Sequence, residues 1–204
     1  MLGAGSWGTA LAILLAGKGF SVRLWGRTED GVLDIQKSRE NRLFLPGVRL
    51  PDLIEVTDSE TRASEGAEAV ILSVPAQALR QVIRRFCPYL SSNVILVNTA
   101  KGIDTSSQLR LSEVLKAELP TALTSRIAVL SGPSHAEEVA RSLPTTVVVA
   151  AESRWVAEQV QDLFLTPRFR VYTNPDLIGV ELGGALKNII ALGAGMSDGM
   201  GYGD

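Results

Sequence analysis

The sequence predicts an α/β fold, a doubly wound and mostly parallel sheet followed by the start of an all-helical C-terminal domain. Three features support this prediction: a glycine-rich turn that opens a helix near the N-terminus, apolar strands that alternate with helices, and a C-terminal segment of small and apolar residues. Strands that alternate with helices are typical of parallel sheets covered on both faces. We expect the sheet domain to span residues 1–172 and the first helix of the second domain to lie within residues 173–204.

The glycine-rich turn reads Gly3-Ala4-Gly5-Ser6-Trp7-Gly8 and leads into an apolar helical run. In a G-x-G-x-x-G pattern the first glycine turns the chain tightly, the second lets the backbone approach a pyrophosphate, and the third lets the helix pack against the sheet. The helix N-terminus then offers N–H groups and a positive dipole to the anion. Ordinary turns share this pattern, but a strand at residues 21–25 completes the start of a β-α-β unit. We therefore predict a Rossmann-like dinucleotide site here.

The strands and helices that follow can be assigned in order from apolar runs and turn residues. We predict strands at 21–25, 69–74, 94–97, 127–130, 145–151 and 169–173, and helices that begin at residue 28 and span 77–86, 109–119 and 154–163. The helix after residue 28 has Val32, Leu33 and Ile35 as its apolar face, and residues 41–51 have the turn chemistry of a loop. Residues 177–192 are apolar on all sides, which predicts a buried helix.

Ligands of doubly wound sheets bind beyond the carboxyl ends of the strands. The segments at that rim are Gly26-Arg27, Pro75-Ala76-Gln77, Lys101-Gly102 and Gly132-Pro133-Ser134. In this type of fold a carboxylate that binds the ribose usually follows the strand that comes after the glycine turn, here residues 21–25. Arg27 stands at that position instead, and an arginine suits the 2′-phosphate of NADP. The pattern favours NADP over NAD, with an ordinary surface arginine as the alternative. In the first case, Arg27→Ala should weaken NADPH binding more than NADH binding.

Lys187 lies in the apolar C-terminal segment, where an unpaired ammonium is costly to bury. We expect desolvation or a neighbouring cation to lower its pKa toward neutrality, so that it can give or take a proton. The alternative is a lysine that extends to the surface near a helix end. The small residues Gly183 and Gly184 leave room for a ligand, and Asn188 is a candidate to hydrogen-bond a substrate hydroxyl.

Two further segments are candidates for binding an anion. Lys101 follows a buried strand and can hold an anionic substrate by its point charge. Gly132-Pro133-Ser134 offers backbone N–H groups and a hydroxyl at a helix start, which suits a phosphate or the edge of a cofactor. Local sequence favours another role, in which Ser134 caps the helix and Glu137 closes a capping box, and both roles are compatible. We interpret His135 as a packing or surface residue.

Composition excludes several classes of function. The net charge is −2 and no basic stripe is present, so we expect no nucleic-acid partner. One cysteine, Cys87, and one histidine exclude an internal disulfide and a metal cluster. We find no signal peptide and no apolar run that approaches the length of a membrane span, so we expect a cytoplasmic protein without such a span.

Several motifs together resemble the glycerol-3-phosphate dehydrogenase family in its bacterial NAD(P)-dependent form. They are Gly3-Ala4-Gly5-Ser6-Trp7-Gly8-Thr9-Ala10, Glu40-Asn41 with Leu45-Pro46-Gly47, Ser73-Val74-Pro75-Ala76-Gln77, Lys101-Gly102, Ser131-Gly132-Pro133-Ser134 with Ala136, and Val180-Glu181-Leu182-Gly183-Gly184-Ala185-Leu186-Lys187-Asn188, continued by Asp198-Gly199 and Gly203-Asp204. The resemblance spans the whole chain. The motifs around residues 131–136 and 180–188 are far more specific than the glycine turn.

The resemblance implies reversible hydride transfer between NAD(P)H and dihydroxyacetone phosphate, which gives sn-glycerol 3-phosphate for phospholipid synthesis. It implies that Lys187 is the general acid/base that protonates the carbonyl oxygen and that Lys101 contacts the substrate and the cofactor. By the same likeness, the substrate-binding residues include Gly132 and Ser134, and the cofactor-binding residues include Ser6, Trp7, Arg27 and Ala136. A homodimer is a further implication of the family.

Two departures from the family pattern lead us to expect a chain truncated at both ends. Only Met1-Leu2 precede the glycine turn, and the helical domain stops after one helix. The family's further substrate-binding residues are absent from the sequence, so we expect weak or no turnover from these residues alone. Two other readings stay open: a hydroxyacid dehydrogenase of similar build, whose substrate would carry a carboxylate, and a non-catalytic NAD(P)-binding module.

Overall fold

The computed structural model describes residues 1–202, and the family-like Gly203-Asp204 lies outside them. The strands are β1 Val22–Trp25, β2 Ile54–Thr57, β3 Ala69–Leu72, β4 Ile95–Asn98, β5 Ile103–Asp104, β6 Leu109–Arg110, β7 Ile127–Ser131, β8 Thr145–Ala151 and β9 Phe169–Asn174. The helices are α1 Ser6–Gly17, α2 Val32–Ser38, α3 Glu60–Ser64, α4 Leu79–Phe86, α5 Leu111–Glu118, α6 Thr121–Thr124, α7 Ala136–Ala140, α8 Arg154–Phe164 and α9 Leu177–Gly199.

The main sheet is mostly parallel, as predicted. One part pairs β1 with β2, and the other has the order β3-β4-β7-β8-β9. Among these described strands the β7–β8 pair is antiparallel and all other pairs are parallel. Helices cover both faces, and the two largest apolar clusters are centred on α1 with α8 and on α4 with α5. Both faces of the central strands β3, β4 and β7 are thus buried, which explains why their sequences are continuous apolar runs, whereas β9 has one exposed face.

The first three residues occupy the place of a strand between β1 and β3. Leu2 forms parallel bridges to both Trp25 and Leu72. The Leu2 N–H donates to the Ile71 carbonyl at 2.7 Å, and the Trp25 N–H donates to the Met1 carbonyl at 2.8 Å. A single bridging residue, fully buried, therefore joins the two parts of the sheet directly below the glycine turn.

Several elements differ from the sequence prediction. The assignment of Leu33 to the buried face of α2 was wrong, because its side chain is 44% exposed while Val32 and Ile35 are buried. The sequence pattern did not indicate β2 and α3, and Leu109, predicted to be helical, lies in β6 of the β5–β6 hairpin. These elements are only two to five residues long. Such short stretches carry too little periodicity to stand out from a loop.

The helix α9 is longer and more exposed than the sequence predicts. Only Leu177 and Glu181 are buried, and Ile189 and Ile190 are 66% and 69% exposed, so the prediction of a helix buried all round was wrong for the described residues. The helix is 23 residues long and contains an 18-residue stretch with a mean hydropathy of 1.4, so by length and composition alone it is long and apolar enough to cross a membrane. The expectation that no apolar run approaches that length was therefore also wrong. Its first turns pack on β7 and β8, because small residues on one side allow close contact.

Candidate active site

The glycine turn forms a narrow cradle at the start of α1. A Cβ atom added to Gly3 would lie 2.6 Å from the Ser73 carbonyl oxygen, and one added to Gly8 would lie 2.0 Å from the Gly3 oxygen. No described atom lies within 4 Å of the corresponding position at Gly5. The first and third glycines thus permit tight packing, while the second faces open space. No side chain caps the N-terminus of α1, so its first N–H groups remain available to an anion.

A cavity of about 450 Å³ opens from this cradle. It brings together residues that are far apart in the sequence, and its lining includes Gly5, Ser6, Trp7, Lys101, Ser134 and Ala136. Each of these is a candidate from the sequence, and they come from the ends of different strands. The topology therefore places them at one rim, as expected for a parallel sheet.

Asn41 holds the glycine turn in place, a role that the sequence did not predict. Asn41 is fully buried and its Nδ2 donates to the Ala4 carbonyl at 2.8 Å and to the Thr9 hydroxyl at 2.9 Å. Its Oδ1 accepts from the Phe44 N–H. One amide thus ties the turn, the first turns of α1 and the loop after α2 together. Apart from the family-like motif, no local signal distinguishes this asparagine from any loop asparagine.

Asn41→Ala is expected to weaken dinucleotide binding several-fold and to lower the free energy of unfolding by about 1–3 kcal/mol, because buried polar groups of Ala4 and Thr9 lose their partner. Urea denaturation and a titration with NADH measure the two effects. Asn93→Ala, at an exposed loop position, is the matched control. An Asn41 variant with unchanged stability and affinity would show that the turn holds its shape without the brace.

Two lysines meet where the cavity approaches α9. The Lys101 ammonium donates to the Gly132 carbonyl at 3.2 Å and lies 5.8 Å from the centre of the Trp7 ring. Burial, followed by the charge of the adjacent Lys187, lowers the pKa of Lys101 to about 8. Lys101 and Lys187 are therefore neighbouring cations. Two ammonium groups held together repel each other, and a bound anion relieves that repulsion.

A second cavity, of about 280 Å³, lies between α9 and the loop after β7. Its lining includes Gly132, Pro133, Gly184 and Lys187. The hydrogen bond from Lys101 to Gly132 links the two cavities. A Cβ atom at Gly184 would lie 2.6 Å from the Ser131 hydroxyl, so the glycine lets α9 approach the strand closely. The structure thereby brings Gly132 and both lysines to one place.

Glu181, which the sequence pattern does not single out as a functional residue, fixes α9 on the sheet domain. Its buried carboxylate accepts from Arg110 at 2.7 Å and from the N–H and hydroxyl of Ser112 at 2.8 and 2.6 Å. Lys187 follows six residues later, less than two helical turns along. The anchor therefore sets the rotation and height of the helix that presents Lys187 to Lys101.

Three other predicted site residues, Asn188, Ser134 and Arg27, lie outside the cavities or make contacts other than those predicted. Asn188 is exposed and lines neither of these cavities. The capping box was wrong: α7 begins after His135, whose side chain makes no cap bond, and the Ser134 hydroxyl donates to the Gly132 carbonyl at 3.4 Å. A one-residue shift of the helix start leaves Ser134 in the loop. Arg27 lies outside both cavities, beside the glycine turn, where Gly26 packs against Ala4.

Comparison with known proteins gives consistent matches. A family model described as the NAD-dependent glycerol-3-phosphate dehydrogenase N-terminus matches residues 1–157, and the model of the C-terminus matches residues 176–204. Relatives named glycerol-3-phosphate dehydrogenase [NAD(P)+] from Syntrophomonas wolfei and Bacillus subtilis are 58% and 50% identical over all 204 residues. This chain covers 60% and 59% of those two proteins.

Solved structures agree with these matches. The crystal structure of glycerol-3-phosphate dehydrogenase from Coxiella burnetii superposes with a TM-score of 0.89 at 39% identity, over 100% of this chain and 61% of that one. The yeast glycerol-3-phosphate dehydrogenase gives a TM-score of 0.85 at 26% identity, over 100% of this chain and 63% of that one. The chain thus spans about 60% of the length of the curated relatives that it matches.

Proposed function

Because this chain belongs to the NAD-dependent glycerol-3-phosphate dehydrogenase family, we propose that it contributes the cofactor site and the proton-transfer lysine of a glycerol-3-phosphate dehydrogenase. The reaction is reversible hydride transfer between NAD(P)H and dihydroxyacetone phosphate, which gives sn-glycerol 3-phosphate. The observation that carries the proposal is the adjacency of Lys101 and Lys187 at the junction of the two cavities.

The residues of the larger cavity fit a dinucleotide. The open side of Gly5 and the free N–H groups of α1 receive the pyrophosphate, and Ser6 adds a hydroxyl. Trp7 and Ala136 form the walls, and Arg27 stands beside the turn for the ribose. When bound, NAD(P)H supplies the hydride, and the protein supplies position, charge and a proton.

Lys187 is the proposed general acid. Its ammonium faces the smaller cavity, where it gives a proton to the carbonyl oxygen of the substrate as that oxygen becomes a hydroxyl. Lys101, held by the Gly132 carbonyl, supplies a second positive charge for the phosphate or the developing oxyanion. The Gly132–Ser134 loop provides further polar groups next to that charge. In the reverse direction Lys187 takes the proton back.

The wider biology follows from the same family. We assign the protein to glycerophospholipid synthesis in the cytoplasm, as a homodimer without a nucleic-acid partner. We place the domain boundary after Asn174, where β9 ends, two residues beyond the boundary expected between residues 172 and 173. In place of a membrane span, α9 is assigned to a helical domain, because residues 176–204 match the family's C-terminal model and Glu181 ties the helix to the sheet. Residues 1–204 alone are expected to turn over weakly or not at all, because they cover about 60% of the relatives' length.

A fluorescence titration tests the proposal. The chain is titrated with NADH and NADPH, alone and with dihydroxyacetone phosphate, and the same is done with the Lys187→Met variant. We expect saturable cofactor binding that the substrate tightens only when Lys187 is present. Cofactor binding that changes neither with dihydroxyacetone phosphate nor in the Lys187→Met variant would favour a non-catalytic module. Cofactor binding that responds to 2-hydroxy acids instead of dihydroxyacetone phosphate would favour a hydroxyacid dehydrogenase.

The affinity for dihydroxyacetone phosphate is expected to fall as the pH rises through about 8. Lys101 is cationic below its pKa, which burial and Lys187 lower from 10.5 to about 8, so its charge is lost in this range. A dissociation constant measured from pH 6 to pH 10 gives the profile. Lys101→Arg keeps its charge over that range and should flatten the curve. An unchanged pH dependence in this variant would exclude Lys101 as the titrating group.

A further inference from the structure

We infer that Asp30 sets the cofactor preference of this chain by competing with the 2′-phosphate of NADP for Arg27, an inference that rests on the proposed cofactor site. Arg27 is the residue that the sequence assigns to the 2′-phosphate. In the structure, however, its guanidinium is already occupied. The Nε atom donates to Asp30 Oδ2 at 2.8 Å, and a terminal nitrogen donates to Asp30 Oδ1 at 2.8 Å.

The ion pair uses the same edge of arginine that a phosphate would use. Two parallel N–H groups bind two carboxylate oxygens, and a phosphate presents two oxygens in the same way. A 2′-phosphate can therefore bind Arg27 bidentately only after it displaces Asp30. If Asp30 stays, its negative charge lies next to that of the phosphate. The 2′-hydroxyl of NAD meets no such repulsion, and a carboxylate is the group that usually accepts its hydrogen bond.

The backbone holds Asp30 in this position. Residues Thr28–Asp30 form a 3₁₀ turn, in which the Asp30 N–H donates to the Arg27 carbonyl at 3.0 Å. Gly31, with φ of 77°, ends the turn and starts α2. The 3₁₀ turn therefore places the Asp30 carboxylate next to the Arg27 guanidinium, and the attraction between the two charges adds to this.

The pair lies where a ligand can reach it. The side chains of Arg27 and Asp30 are 57% and 29% exposed, and Gly26 packs against Ala4 of the cradle. A second carboxylate, that of Asp58, accepts from the Thr28 hydroxyl at 3.3 Å. Two carboxylates, those of Asp30 and Asp58, thus bind the side chains of Arg27 and Thr28. An exposed ion pair is weak enough to open, so NADP is admitted but its advantage is reduced.

Asp30→Asn tests the inference, because it removes the charge and keeps the size of the side chain. We expect the affinity for NADPH to rise by up to about fivefold, the upper end for an exposed ion pair, with NADH changed less than about twofold. Glu29→Gln is the matched control: it removes one negative charge next to Asp30, and Glu29 makes no side-chain hydrogen bond to Arg27 in the described structure. Adenosine 2′,5′-bisphosphate and adenosine 5′-monophosphate, titrated in parallel, report on the 2′ position alone.

The double variant Arg27→Ala/Asp30→Asn shows whether the effect passes through Arg27. We expect it to lose the gain in NADPH affinity. A ratio of NADPH to NADH affinity that stays the same in Asp30→Asn, or shifts equally in Glu29→Gln, would overturn the inference while the cofactor site stands. Failure of the unchanged chain to bind either cofactor would overturn the proposed function, and the inference with it.

Discussion

Lys187→Met is expected to lower kcat by about 10³-fold in a chain extended to the full length of the family, with cofactor affinity changed less than about twofold. Methionine matches lysine in length but carries no proton, so the substrate oxygen loses its acid while the cradle around Gly5 stays intact. Steady-state assays with dihydroxyacetone phosphate and NADH measure kcat, and a titration measures cofactor binding.

Two further variants make this expectation specific. Lys187→Arg keeps the charge but holds its proton too tightly at neutral pH, so it should be nearly as slow as the methionine variant. Lys37→Met, at an exposed position of α2, is the control and should leave kcat unchanged. If Lys187→Met kept more than a tenth of the activity while Lys101→Met lost it, the acid would be Lys101.

Glu181→Ala is expected to lower the free energy of unfolding by about 3 kcal/mol, the low end of the range for breaking a buried ion pair. The carboxylate is the shared partner of Arg110 and Ser112, and its removal leaves the buried backbone N–H of Ser112 and the partly buried guanidinium of Arg110 without that acceptor. The low end applies because Arg110 keeps a second ion pair with Glu113, at 3.1 Å. Urea denaturation measures the loss.

The control for this prediction is Glu158→Gln, which breaks an exposed pair with Arg154 on α8 and should cost less than about 0.5 kcal/mol. The double variant Arg110→Met/Glu181→Leu removes both charges and should recover much of the stability. A loss below about 1 kcal/mol in Glu181→Ala would show that apolar packing alone holds α9 on the sheet. Because Lys187 depends on the placement of α9, the alanine variant should also turn over more slowly in the extended chain.

The sheet domain could be predicted well because its signals are local. A continuous apolar run marks each strand at the centre of the sheet, and the glycine turn with the start of α1 is encoded in six consecutive residues. The elements that were missed, β2 with α3 and the β5–β6 hairpin, are short and lie at the edge or outside the main sheet. Their conformation is decided by neighbours, so their sequences carry little periodicity.

By itself, the sequence determined the order of the longer strands and helices, the glycine cradle and the chemical types at the rim, because these depend on residues close together in the chain. Only the tertiary structure decided which of these groups act together. Glu181 binds Ser112 across 69 positions, Asn41 braces Ala4 across 37, and Lys101 meets Lys187 between two separate elements. The same is true at short range for Arg27, because its hydrogen bonds to the Asp30 carboxylate cannot be known from composition. Strand and turn preferences are properties of local sequence, whereas the partner of a charge is fixed only when packing brings distant segments into contact and excludes water between them.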